Sequence, residues 1–172
     1  MRNHSRSNLL LEQDRLWSDH FWYTRQVVVS AVNKNPCLNK DIEELLSNQD
    51  DLGKNFAAQV NNHSAGVKLA TVLREHINIA IKIVTTAIAG GDIDQLYKMW
   101  QNNARDVSKV YSKFNRRIKF DRIYNLMLTH LSTTLNEATS IIQGNCEASA
   151  TNGEITLDHI HMMSDYLASK SK

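Results

Sequence analysis

The chain has 172 residues, 42% hydrophobic and 22% charged, with 20 basic against 18 acidic side chains and a formal net charge of +2. Such totals suit a globular domain long enough to bury a core and exclude a disordered polyelectrolyte. With charge expected to be spread without a basic block, and with no aromatic-plus-basic stacking motif, no nucleic-acid partner is expected.

Apolar residues recur at a 3.6-residue period, and no segment alternates like a strand. The pattern predicts helices near 7–33, 39–48, 51–61, 65–89, 92–114, 118–143 and 154–169, with residues 1–6 and 170–172 frayed. The first of these, beginning in "MRNHSRSNLLLEQDR", has only a short apolar run before charges return. Neither a signal peptide nor a membrane span is therefore expected. "NKNPCLNK", around the single proline Pro36, reads as a loop. In "SNQDDLGKNF", Asn48, Gln49 and Asp51 cluster between two short helices, and either Asp50 or Asp51 caps the second or the segment folds as a lid over the bundle mouth. "AGGD" reads as a tight helix–helix turn with Asp92 as N-cap, and "GNCEASATNG" as the longest linker. Long helices joined by short turns give an all-α fold. The expectation is a single domain over 1–172, an up-and-down bundle of four to five long helices with short helices over 39–61. Cys37 and Cys146 lack CxxC spacing and read as two free thiols. These thiols suit a reducing cytosol, and a cytoplasmic location is expected.

Placing each helix on a 100° wheel sorts its polar residues. His76 falls at the middle of the stripe Leu69, Val72, Leu73, Ile79, Ala80 and Ile83. Asn103 centres the stripe Leu96, Met99, Trp100, Val107 and Val110. His130 and Glu137 centre the stripe Ile123, Leu126, Met127, Thr134 and Ile141, and His159 lies among Ile155, Met162, Met163 and Tyr166. In the first helix, His20 and Arg25 flank the stripe of Trp17, Phe21, Thr24 and Val28. The remaining histidines, His4, His63 and His161, fall outside any stripe. A buried polar group without a partner costs on the order of 1–3 kcal/mol, so these groups must find one another, water or a ligand. Counting from the turns at roughly 1.5 Å per residue puts Asn103, His130 and His76 close to one level. Glu137 falls two turns from His130, nearer the end where His159 enters. Trp22, on the polar face of the first helix, implies a homodimer contact or cover from the 39–61 segment.

The stretches "WSDHFWYTR", "NQDDLG", "LREHINIA", "WQNNARDV", "LTHLSTTLNEA" and "DHIHMMSDYL" together resemble an uncharacterised family of small helical-bundle proteins from bacteria and large DNA viruses. Its members carry W-x-x-H-x-x-W-T-R, N-Q-x-D-I-G, E-H-(I/L), W-x-x-N-A, H-L-x-x-T-x-x-E-A and H-x-x-x-M-A-D in that order. The family's polar positions fall here on His20, Thr24, Arg25, Asn48, Gln49, Asp51, Gly53, His76, Trp100, Asn103, His130, Glu137, His159 and Asp165. Tyr23 and Ser164 depart from it, standing where Trp and Ala are usual. The resemblance implies a helical bundle and brings no activity with it.

Three functions fit these residues. In the first, a small ligand is held by Thr24, Arg25, Asn103 and Glu137, or a transition metal (Zn, Fe, Ni or Cu) by His20, His76, His130 and His159. Because Trp17, Leu73, Met127 and Thr156 precede the four histidines by three positions, no E-x-x-H pair exists, which favours a mononuclear His-rich site over a ferritin-like di-iron site. In the second, His130 and Glu137 exchange protons with Arg25 as an anion clamp. In the third, a structural or interaction protein uses its polar core only to fix helix register.

Overall fold

The computed structural model describes residues 2–171, with side chains from Ser7 onward. Six helices follow one another: α1 (Arg2–Val32), α2 (Leu38–Val60), α3 (His63–Ile88), α4 (Asp94–Phe114), α5 (Phe120–Ile142) and α6 (Cys146–Ala168). Among the described residues there is no strand, and no helix is long and apolar enough to cross a membrane. Each helix packs on its sequence neighbours, as short connections dictate, and α6 closes the ring on α1. α1, α3 and α5 also touch one another through the interior. There Trp17, Leu69, Leu73, Ile83, Ile123, Met127, Leu131, Ile160 and Met163 form the dry core.

Besides α1, which begins at Arg2 rather than near residue 7, the helices differ from expectation in two places. The 39–61 region is one continuous helix, so Asp50 and Asp51 cap nothing. They lie mid-helix and point outward, Asp50 to Arg74 at 3.0 Å and Asp51 to Lys54 at 2.7 Å. Asn48 and Gln49 instead turn inward and are buried. The second difference is α6, which starts eight residues earlier than the periodicity indicated. Asn145 is its true N-cap, accepting from the Ala148 amide at 3.0 Å, so "GNCEASATNG" is mostly helix and Cys146 is its first residue. Gly144, at φ +68°, ends α5 in the left-handed conformation that leaves only a three-residue connection. The N-cap of α4 is Ile93 rather than Asp92, which stands one residue further out and accepts from the Asp94 amide at 2.8 Å.

Other corrections concern the surface. Met99, Ile155 and Met162, assigned to stripes by the wheel, are exposed. The buried face of α4 runs through Trp100, Asn103, Ala104, Val107 and Tyr111, and that of α6 through Thr156, His159, Ile160 and Met163. Trp22 is 55% exposed, so α2 does not cover it. Charge is also less evenly spread than the totals imply. Residues 107–120, where α4 turns into α5, hold Lys109, Lys113, Arg116, Arg117 and Lys119 and no carboxylate.

Gly53 and Gly66 explain how closely α2 approaches α3. A Cβ on Gly53 would lie 2.6 Å from the Gly66 carbonyl oxygen, and one on Gly66 would lie 2.5 Å from the Gly53 oxygen. Backbone meets backbone here, and neither side can yield as a side chain does. In an unobstructed helix, Gly→Ala gains up to about 1 kcal/mol. At Gly66 the sign reverses. Gly66→Ala is expected to lower unfolding free energy by about 1–3 kcal/mol in urea titration, whereas a stabilised variant would show that the helices do not cross this tightly.

Candidate functional site

The three helices that meet in the interior each contribute one imidazole: His20 from α1, His76 from α3 and His130 from α5. Their exposures are 3%, 2% and 3%. Ring centroids lie 5.6 Å apart for His20–His130 and 6.0 Å for His76–His130, the latter pair stacked. Trp17 lies edge-on to His20 at 5.5 Å, and Trp100 lies 5.1 Å from His76.

The intervening helices supply the hydrogen-bond partners. From α4, Asn103 Nδ2 donates to the Val72 carbonyl at 3.0 Å, which leaves its Oδ1 to accept from His76 Nδ1–H at 2.8 Å. His76 Nε2 is then a bare lone pair, and no protein group bonds to it. From α2, Gln49 Nε2 reaches His20 Nδ1 at 3.2 Å, the Leu45 carbonyl at 2.7 Å and Asn48 Oδ1 at 3.0 Å, while Asn48 Nδ2 donates to the Leu16 carbonyl at 2.9 Å. His130 has only the Thr134 hydroxyl at 3.4 Å from Nδ1. Gln49 Oε1 and Trp100 Nε1 are buried without a protein partner.

Burial keeps these rings neutral. It pushes His20 down to about 3, helped by His76, and His76 down to about 4 against the opposing bond to Asn103. His130 is held well below the ordinary imidazole value by burial and by His20, His76 and His159.

Glu137 stands beside this group. Its Oε1 accepts from Arg25 Nη1 at 2.5 Å, and Arg25 also donates through Nη2 to Ser149 Oγ at 3.0 Å. The Glu137 side chain is nearly enclosed, at 6% exposure, while the Arg25 side chain retains 28%. Burial raises the Glu137 pKa despite the opposing Arg25 and Thr156. Gly153 makes room for the pair, since a Cβ there would lie 3.1 Å from Arg25 Nη1 and 3.4 Å from Glu137 Oε1. A glycine inside a helix is otherwise destabilising, so this position is shaped by what it faces.

His20, Thr24, His130, Thr134, Glu137 and Thr156 line one cavity of about 10 Å³, closed by Phe21 and Ile160. That is room for one water-sized group. Of the residues expected to bind a ligand, Thr24 and Glu137 are at this cavity, with Arg25 tied to Glu137. Asn103 is not among them, being locked to His76 and Val72. Of the four histidines proposed as metal ligands, His159 stands aside, its Nε2 donating to the Leu126 carbonyl at 2.8 Å. With α6 starting earlier, Thr156 draws level with Glu137, and His159 falls on the far side of His130. Among the described residues, no three His, Cys, Asp or Glu side chains are placed to hold a metal ion.

Reading the sequence missed Gln13 and Ser149. Gln13 is buried and donates to the Ser164 carbonyl at 2.8 Å. It lies seven residues before His20, so a wheel extended by two turns could have found it. Ser149 carried no such signal, because its segment read as a linker.

Compared with known protein families, curated proteins and solved structures, the chain matches none.

Histidines held neutral by the fold bind fewer protons than in the unfolded chain. Their stabilisation is complete above about pH 6.5 and is lost as pH falls toward the folded values of about 3 and 4. Glu137, raised by burial, acts in the opposite direction. Urea unfolding between pH 7.5 and pH 4.5 is expected to show a loss of roughly 1 kcal/mol or more per pH unit below 6.5. His130→Leu should flatten that slope, and an unchanged slope would remove His130 from the cause.

Proposed function

We propose that this protein binds a small polar ligand at the centre of its helical bundle, with the polar head of the ligand seated in the cavity between α1, α5 and α6. One observation carries this reading: His20, His130 and Glu137, with three threonines, line a common cavity. His20 offers a ring nitrogen, Glu137 an acceptor, and the His130 ring is tied internally by only one long bond. A carbonyl or hydroxyl group matches that set. Arg25, partly exposed and beside Glu137, is the movable side of the site. A transition metal would need His20, His130 and Glu137 to reorient around it. Kinship with the small helical-bundle proteins rests on the six sequence motifs and is part of the same proposal.

The competing reading, a network that only fixes helix register, is favoured by the chain from Val72 through Asn103 to His76, which is satisfied within the protein except at His76 Nε2. The double variant His130→Leu/Glu137→Leu separates the two. Untagged protein analysed by native mass spectrometry, with elemental analysis of the same sample, is expected to carry a small organic molecule released on denaturation and absent from the folded double variant. A bare polypeptide mass, with the variant equally or more heat-stable, would contradict binding and leave register. Stoichiometric Zn, Fe, Ni or Cu would contradict an organic ligand and identify a metal site.

A further inference from the structure

A second cavity, of about 320 Å³, opens at the end of the bundle where α4 turns into α5. Its walls are Lys113 to Arg117, with Gln59 and Val60 at the end of α2, and among the described residues no carboxylate lines it. We propose that this corner is a binding site for a small soluble phosphate-bearing anion.

Three observations converge. First, Arg116 and Arg117 occupy the middle of a tight turn, closed by the Ile118 amide donating to the Asn115 carbonyl at 2.9 Å. The turn is fixed from several sides. Asn115 Oδ1 accepts from the Arg117 amide at 3.1 Å, Asn115 Nδ2 donates to the Lys170 carbonyl at 3.1 Å, and Ile118 is buried. Two adjacent guanidinium groups are thus carried on a rigid support, and their planar forks match phosphate oxygens.

Second, these cations are uncompensated. Among the described residues, Lys68, Lys113, Arg116, Arg117 and Lys119 enter no ion pair; Lys34, Lys82, Lys98, Arg105, Arg122 and Lys170 also enter none, but lie outside residues 107–120, which hold five cations and no carboxylate. In a chain with nearly equal charges of both signs, local excess is a feature of this corner. The C-terminal dipole of α4 accounts for Lys113 in its last turn, but Arg116 and Arg117 lie beyond the helix.

Third, the cavity has the volume of a small-molecule site rather than of a flat charged surface. Phe114 forms one wall, with the Lys68 and Lys113 ammonium groups 5.6 and 5.7 Å from its ring centre. An aromatic wall framed by cations suits an anion that also has an uncharged portion. A nucleic-acid or membrane surface would instead call for basic groups spread along a face.

The test is titration of the full chain with inorganic pyrophosphate, followed by calorimetry and by amide chemical shifts. Saturable binding with shifts confined to the Phe114–Lys119 turn and the end of α2 is expected. Arg116→Gln/Arg117→Gln should weaken it by about tenfold or more, and Lys113→Gln should weaken it separately should the double variant not fold. Lys82→Gln, on an exposed face of α3, should leave it unchanged. Absence of saturable shifts would overturn the proposal. So would a short DNA duplex or phosphatidylserine vesicles binding more tightly than pyrophosphate through the same arginines, since the corner would then be a macromolecular or lipid contact.

Discussion

An imidazole removed from water loses its favourable charged form and must place two ring nitrogens among hydrogen-bond partners. Three such rings share the centre of this bundle, and much of its polar architecture follows from accommodating them. They stay neutral because burial strips water from the charged form, and at His20 and His130 the neighbouring imidazoles add to that effect. Neutrality makes each ring a donor on one nitrogen and an acceptor on the other. Helices α2 and α4 therefore present amides at the level of the rings, Gln49 to His20 and Asn103 to His76. Both amides are fixed in turn by backbone carbonyls, at Leu45 and Val72, which orients the rings through their partners.

The arrangement divides the labour of the helices. Those that meet in the interior carry imidazoles, and their neighbours on the ring carry the groups that set tautomers. α6 serves the one charged pair instead. By supplying Gly153 it leaves space for Arg25 against Glu137, and by supplying Ser149 it gives the guanidinium a second acceptor. The Arg25–Glu137 ion pair therefore sits at the edge of the cluster, where Arg25 still reaches solvent and the cost of burying charge is smallest.

Much of this was legible in the sequence, and for a physical reason. Helical periodicity is a strong signal when apolar stripes run for more than twenty residues, so α1, α3, α4 and α5 and the placement of His76, Asn103, His130 and Glu137 could be read directly. The shared level of His76, Asn103 and His130 followed from counting residues out of two turns. What failed was punctuation. Clusters of Asn, Asp and Gly usually mark breaks, yet Asn48 and Gln49 interrupt α2 only in composition, since their side chains bond across to α1. Gly153 and the small polar residues around it read as linker for the same reason. Tertiary contacts overrode local propensity at both places, and the misplaced start of α6 moved His159 to the wrong side of His130.

The polar interior of the bundle depends on rings from α1, α3 and α5 remaining uncharged and fixed in tautomer away from water. Long-range ¹H–¹⁵N spectra of histidine-labelled protein across the range from pH 5 to pH 8 measure both properties at once. His76 should show its proton on Nδ1, and neither His20 nor His76 should titrate. Ordinary titration of His20, His76 and His130 near pH 6.5, with averaged tautomers, would mean that the rings sit in water and that no such cluster exists.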